Sequence, residues 1–349
     1  MMSALQSIHI PKLDEETGVL VQKYVDSLTK PPGSLGRLEE LVIELAKMTG
    51  HAFPEVSPPG IIVFAADHGI TAEGVSAFPQ EVTYQMVRNF LNGGAAINVF
   101  SKAIRARLNI VDIGVAVDMD DENLINKKVR YATANFYEEN AMSPSEAIQA
   151  IEVGYEQAQK LIDDGIKCLI LGEMGIGNTT TSSAILAAVS GKNIESLVGT
   201  GTGIEDEKIQ FKQQVIKRAL EKRKPSNTDP IDLLSKIGGL EIAGMAGAML
   251  AAASNRIPIL VDGFIAATAG LVAQMISSQV TDYMIMGHRS VEPGHAIVMD
   301  LLGKKPILDL GMRLGEGSGA AVAFPILQSA VVMLKEMATF ETAQISNRD

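Results

Sequence analysis

The chain has 349 residues, 46% of them apolar, with few aromatics, no Trp and a formal net charge of −11. That length suits one large domain and a smaller one, with a core of aliphatic side chains and close contacts at its 32 glycines. The acidic balance excludes nucleic-acid backbones and anionic membranes as partners, and the single cysteine excludes an intramolecular disulfide.

The opening stretch, MMSALQSIHIPKLDEETG, lacks the basic and apolar regions of a signal peptide, so a cytoplasmic protein is expected. The chain then reads as helical to about Gly50. KPPGSLG is a turn, and Ser34 is expected to cap a helix carrying Leu38, Leu41, Val42 and Leu45 on one face. His51 to Gly60 is a Pro-rich linker.

From there apolar runs alternate with amphipathic ones. Ile61 to Ala66 is a strand, EVTYQMVRNFLNGG a helix, and Leu108 to Gly114 a strand. A long helix follows with Ser143 as cap and Pro144 at its first position. KCLILG is a strand that buries Cys168, and TSSAILAAVSG a helix. Gly238 to Ser278 is apolar enough to raise a membrane span. Asn255, Arg256, Pro258 and Asp262 interrupt it, and it reads as a buried helix, the strand IPILVD and a second buried helix. TDYMIMG is a last strand, and the chain is helical again after Gly315. This alternation predicts an α/β fold with a mostly parallel sheet covered on both faces. Residues 1–55 and 311–349 are expected to pack as a smaller helical domain beside a large α/β domain, 56–310.

The polar residues cluster where the strands end: Asp67-His68-Gly69, Asp112, Glu173, Asp262-Gly263 and His288-Arg289-Ser290. In a parallel sheet these ends share one edge, where ligands bind. GEMGIGNTTTSS places Gly175 and Gly177 before Asn178, Thr179 and Thr180 at a helix start, a pattern suited to an anion. It lacks a Walker lysine and a dinucleotide spacing. GTGTG, Gly199 to Gly203, is a second flexible loop. Lys212 falls inside the apolar arc of Ile209, Phe211, Val215, Ile216, Ala219 and Leu220. It either meets an anion there or covers the core with its stem. In RLGEGSGAA, Glu316 stands between two glycines ahead of an apolar helix, where a carboxylate can approach a flat ligand.

GHRSVEPGH, with Asp67 and His68, raises a metal site. Pro293 and Gly294 are expected to break any helix aligning its ligands, and no metal or other cofactor is expected. The acidic pair Asp163-Asp164 precedes a strand and reads as a solvated turn.

KPPGSLGRLE, AADHGI, GVSAFPQEVT, FLNGGAAINV, GEMGIGNTT, GTGTG, VDGFI, GHRSVEPGH and LDLGMRLGEGSGAA occur in that order. Together they closely resemble the nicotinate-nucleotide–dimethylbenzimidazole phosphoribosyltransferase family, from about Lys30 to Ala321. The resemblance implies a doubly wound α/β domain with a small helical domain, assembled as a homodimer. It implies transfer of ribose 5-phosphate from nicotinate mononucleotide to 5,6-dimethylbenzimidazole, with Glu316 as general base and Glu173 as a second acid at the ribose. The ribose and phosphate would be held by Gly175, Gly177, Asn178, Thr179, Thr180, Gly201, Lys212, Asp262 and Ser290. The base would be held by Met174, Leu314 and residues among Ser76, Phe78, Gln80 and Gln85. Two rival expectations remain: a metal-dependent phosphohydrolase using Asp67, His68, His288 and His295, and a non-catalytic nucleotide sensor.

Overall fold

The computed structural model describes residues 8–199 and 206–346. Seven strands form one sheet: β1 (Pro59–Ala66), β2 (Arg107–Gly114), β3 (Leu124–Asn126), β4 (Cys168–Met174), β5 (Ile259–Val261), β6 (Met284–His288) and β7 (Pro306–Leu308). Their order is β3-β2-β1-β4-β5-β6-β7 and every pairing is parallel. The chain winds outward from β1 in one direction, then from β4 in the other. The switch point therefore lies between β1 and β4, where a doubly wound sheet opens a crevice at its carboxyl edge.

The helices are α1 (Glu15–Ser27), α2 (Arg37–Thr49), α3 (Val82–Leu91), α4 (Ala96–Ala103), α5 (Pro144–Asp163), α6 (Asn178–Ser190), α7 (Asp206–Arg223), α8 (Pro230–Ile237), α9 (Leu240–Ser254), α10 (Phe264–Ile276), α11 (Pro293–Leu302) and α12 (Ser318–Glu336). Central strands β1 and β4 are almost wholly buried, as a sheet covered on both faces requires. Helices α5, α9 and α10 pack in sequence over part of it, and α3, α4 and α12 also contact its strands. The segment 238–278 folds as a buried helix, strand and helix, as its interruptions predict. Helix α12 is long and apolar enough to cross a membrane by length and composition, but over half of it is buried against α2, α4 and the sheet, as in a core helix.

Strands β3 and β7 have three residues each, too short for a period-two signal to emerge from the sequence. TDYMIMG is a strand only from Met284; the residues before it form a 3-10 turn, Ser278–Tyr283. Helix α2 is capped at Gly36, not Ser34. Glu39 in its first turn accepts the N–H groups of Gly33 and Leu35 and pairs with Lys30 at 2.9 Å, so a carboxylate organises the turn that Ser34 was expected to cap. Ser143 does cap α5, in a reciprocal pair with Glu146.

The N- and C-terminal segments clasp each other. Leu28 bridges Thr339 antiparallel, Thr29 N–H donates to the Ala338 carbonyl at 3.0 Å, and Phe340 N–H donates to that of Ser27 at 2.9 Å. Helix α12 lies on α2 as well as on β4, β5 and β6, and the apolar core runs through both regions as one cluster.

Candidate active site

A cavity of about 360 Å³ opens at the carboxyl edge of the sheet, beside the switch point. It is lined by Glu173 and Met174 at the end of β4, Asp262 after β5, His288 and Ser290 at the end of β6, and residues 313–316 before α12. Phe78, Val82 and Met86 form an apolar wall from the start of α3, and Phe264 and Ile265 close the side of α10.

Glu316 is the most constrained residue of this set. Its φ is +65°, and Gly315 and Gly317 on either side stand at +88° and +84°. Three successive left-handed residues strain a side-chain-bearing position, and such strain marks functional segments more often than packing ones. The turn sits tightly on β4, because a Cβ on Gly172 would overlap the Glu316 carbonyl. The Glu316 carboxylate is buried and accepts the N–H of Ile97 at 3.4 Å. Burial pushes its pKa up, the Ile97 N–H opposes this, and the charge of Asp262 adds to the rise.

Glu173 accepts a hydrogen bond from Asn178 Nδ2. Burial, reinforced by the charges of Glu241, Asp262 and Glu316, pushes its carboxyl up to about 8. Asp262 is committed to the start of α12: its oxygens accept Gly317 N–H at 3.2 Å and Ala320 N–H at 2.9 Å, and His288 Nε2 lies 3.5 Å away. That arrangement caps the helix that follows the Glu316 turn.

In the same cavity, Gly177 at φ +100° starts α6, so Asn178 and Thr179 present the helix N-terminus to the lumen. Lys212 reaches the same place from α7. It is 1% exposed, and its Nζ donates to Thr179 Oγ1 at 3.0 Å. Burial pushes its ammonium down to about 8, against the attraction of Glu292. The inward-facing reading of this lysine matches its placement, beside a helix N-terminus where an anion would offset its burial. Phe211 does not share the buried arc; its side chain is exposed.

The structure thus brings Glu316, Glu173, Gly175, Asn178, Thr179, Asp262, Ser290, Phe78, Met174 and Leu314 to one cavity. Gly177 and Lys212 stand just behind its wall, and Thr180 is fully buried in α6. Ser76, Gln80 and Gln85 are not among its described lining residues. Gly201 lies outside the described residues. Val82 lines the cavity from within the GVSAFPQEVT motif, and Met86, Phe264, Ile265 and Arg313 line it without having been singled out. Val82 and Met86 carried a usable signal, being four apart on the helix after SAFPQ; Arg313 carried none beyond its place beside LGEG.

The histidines are separately engaged. His68 Nε2 pairs with Glu241 Oε1 at 2.8 Å and its Nδ1 pairs with the Thr181 hydroxyl at 2.9 Å. His295 Nδ1 accepts Ser290 N–H at 2.8 Å, and burial pushes its imidazole down to about 4. Asp67 and Asp112 hold backbone N–H groups at Ala116, Gly114 and Val115. Among the described residues no group of three or more His, Cys, Asp or Glu side chains is placed to hold a metal ion. Pro293 does not break the helix here. It opens α11 at its first position, where no N–H is needed, and places His295 in the first turn.

A family model described as phosphoribosyltransferase matches residues 10–345. The nicotinate-nucleotide–dimethylbenzimidazole phosphoribosyltransferase of Halalkalibacterium halodurans is 54% identical over 337 residues, covering 97% of this chain and 94% of the relative. That of Chloroflexus aggregans is 50% identical over 341 residues, covering 97% of each. The crystal structure of CobT from Thermus thermophilus superposes with a TM-score of 0.92 at 42% identity, covering 95% of this chain and all of the other.

Proposed function

Because the chain belongs to the nicotinate-nucleotide–dimethylbenzimidazole phosphoribosyltransferase family, we propose that it transfers ribose 5-phosphate from nicotinate mononucleotide to 5,6-dimethylbenzimidazole. The products are α-ribazole 5′-phosphate and nicotinate. The observation that carries the assignment of roles is the buried Glu316 carboxylate, set on a strained turn that lines the same cavity as the α6 N-terminus, where Lys212 bonds Thr179.

The 5′-phosphate lies at the α6 N-terminus, within reach of Thr179 and Lys212, where helix dipole and ammonium offset the acidic cavity. The benzimidazole enters against Phe78, Val82, Met86, Met174 and Leu314. One ring nitrogen attacks C1′ with its in-plane lone pair as the C1′–N bond to the pyridinium breaks. The bonding electrons neutralise the departing nicotinate. The proton on the other ring nitrogen passes to Glu316, whose raised pKa suits a base working near neutral pH. Attack opposite the leaving group turns a β-linked donor into an α-linked product. Glu173, with its carboxyl near 8, is a neutral acid at pH 7 and serves the ribose as a hydrogen-bonding group. Asp262 acts by holding α12 and the Glu316 turn.

The homodimer belongs to the same proposal. Val291, Leu310 and Leu314 are each more than half exposed, Val291 N–H pairs with the Met312 carbonyl, and Leu314 lines the cavity. A second copy of the chain covering them accounts for their exposure. A soluble, cytoplasmic location is supported by the acidic net charge and the single buried thiol.

The test is turnover of the purified protein with both substrates in EDTA, followed by chromatography and mass spectrometry, alongside Glu316→Gln. A ribazole phosphate peak that collapses in the variant supports the reaction and its base. No product in the wild-type protein overturns the reading.

A further inference from the structure

Residues Asp67 and His68 follow the central strand directly, yet neither lines the cavity. His68 nevertheless stands against its most sensitive segment, the turn Gly175-Ile176-Gly177 that leads into α6. The imidazole is fully buried and fixed at both nitrogens, by Glu241 of α9 at 2.8 Å and by Thr181 of α6 at 2.9 Å, both partners being fully buried themselves. Three glycines pack around it. A Cβ on Gly175 would come 3.2 Å from its Cδ2 and Nε2, one on Gly177 would come 3.1 Å from its Cβ, and one on Gly239 would come 2.6 Å from its Cε1.

The same turn is held from the other side. Ile176 N–H donates to the hydroxyl of buried Thr83 at 3.0 Å. Thr83 belongs to α3, between the cavity-lining Val82 and Met86. The turn is thus pinned at its middle N–H by one side chain and backed at both glycines by another. Its carboxyl-side neighbours, Asn178 and Thr179, face the cavity.

We propose that His68 and Thr83 are positioning residues for the donor's phosphate: they fix the Gly175–Gly177 turn, and through it the direction of the α6 N-terminus. This rests on the donor site proposed above and deepens it. A helix N-terminus binds an anion well only if its N–H groups are already aimed, because reorienting buried dipoles on binding costs affinity. The Thr181 contact lies within the first turn of α6, so the imidazole sets the turn and the helix together. His68 contributes no proton and touches no reacting atom in this role.

Threonine variants test this without emptying the core. Thr83→Val and Thr181→Val keep the shape and remove the hydroxyl; Thr83→Ser and Thr181→Ser restore it. KM for nicotinate mononucleotide is expected to rise about tenfold in each Val variant, the effect of losing one buried hydrogen bond, and to return to within about twofold in each Ser variant. The inhibition constant of inorganic phosphate should follow the donor KM, while KM for dimethylbenzimidazole stays within about twofold. Val variants with an unchanged donor KM, or with kcat and both KM values shifted together at a lowered Tm, would show only a structural role and overturn the proposal. Wild-type turnover is measured in the same series, so a failure of the reaction itself is seen separately from a failure of the positioning role.

Discussion

The Glu316 carbonyl rests directly on Gly172, the residue before Glu173 in β4, so the two acids of the cavity meet where the α12 turn packs on the end of β4. That contact is possible because Gly172 has no side chain. An alanine there would place its Cβ into that carbonyl, which is backbone and cannot rotate away. Gly172→Ala should therefore displace the Glu316 turn and lower kcat by about 100-fold, as for a misplacement of ~1 Å at a reacting group. Steady-state kinetics beside a thermal melt checks it; wild-type kcat in the variant would refute the tight seating of the turn.

Glu316 should set the acid limb of the pH profile. A base works deprotonated, and burial raises the pKa of this one, so kcat falls as pH drops through a value above the ordinary carboxylate range. Glu316→Gln should lower turnover by about 100- to 10,000-fold on the alkaline plateau, the usual span for a general base, and by less below the pKa of Glu316, where the wild-type carboxyl is itself protonated. A kcat–pH profile that stays flat down to the ordinary carboxylate pKa would remove Glu316 from this role.

Lys212 should cost stability while serving the donor. Its pKa is about 8 in the folded protein against an ordinary 10.5, so the buried ammonium destabilises the fold by roughly 3 kcal/mol when no anion is bound. The penalty is fully present below pH 8. Between about 8 and 10.5 the unfolded chain holds more protons, so stability rises with pH and the penalty fades. Lys212→Met should raise Tm at pH 7, lose that gain by pH 10.5, and raise donor KM by about tenfold or more. Thermal melts at two pH values read the first two effects.

Glu173 carries the opposite sign. Its folded pKa of about 8 exceeds the ordinary 4.5, so the folded state keeps a proton that the unfolded state gives up between these values. Stability contributed by this group therefore falls as pH rises from about 4.5 to 8. Glu173→Gln should be neutral to stability below pH 4.5 and stabilising above pH 8. A uniform loss at both ends would mean that the bond to Asn178 needs the carboxyl itself.

Cys168 lies fully buried in β4, with its thiol pushed up to about 12 by burial. A thiol reagent should leave the native protein unlabelled at about pH 8 and label one site after unfolding. Rapid labelling of native protein would mean that β4, and the site it carries, opens readily.

Much of the fold was legible because strong periodic signals were long. The six apolar residues Ile61 to Ala66 of β1, the capped helix α5 and the interrupted apolar run from 238 to 278 each carried enough pattern to be read, while Pro59 and Gly60, read as linker, also belong to β1. Strands β3 and β7 were not legible: β5 is equally short but wholly buried and apolar, whereas these two are only partly buried and carry no apolar run or period of their own. The inward lysine was legible from its place in an apolar arc, but its partner Thr179 lies on another helix, 33 positions away.

What the sequence determined by itself is local: which runs are strands, which turns must be glycine, and which acids stand at strand ends. The motif order also placed the chain in its family. Only the tertiary structure decided which of those acids act alike. Asp262 and Glu173 both follow apolar strands, yet one spends its oxygens on the N-terminus of α12 while the other is held near neutrality by burial among carboxylates. The same holds for His68, whose place among candidate metal ligands gave way to a clasp between Thr181 and Glu241. A side chain's charge and hydrogen bonds depend on what surrounds it in space, and partners 113 and 173 positions away leave no mark on the residues beside it in the chain.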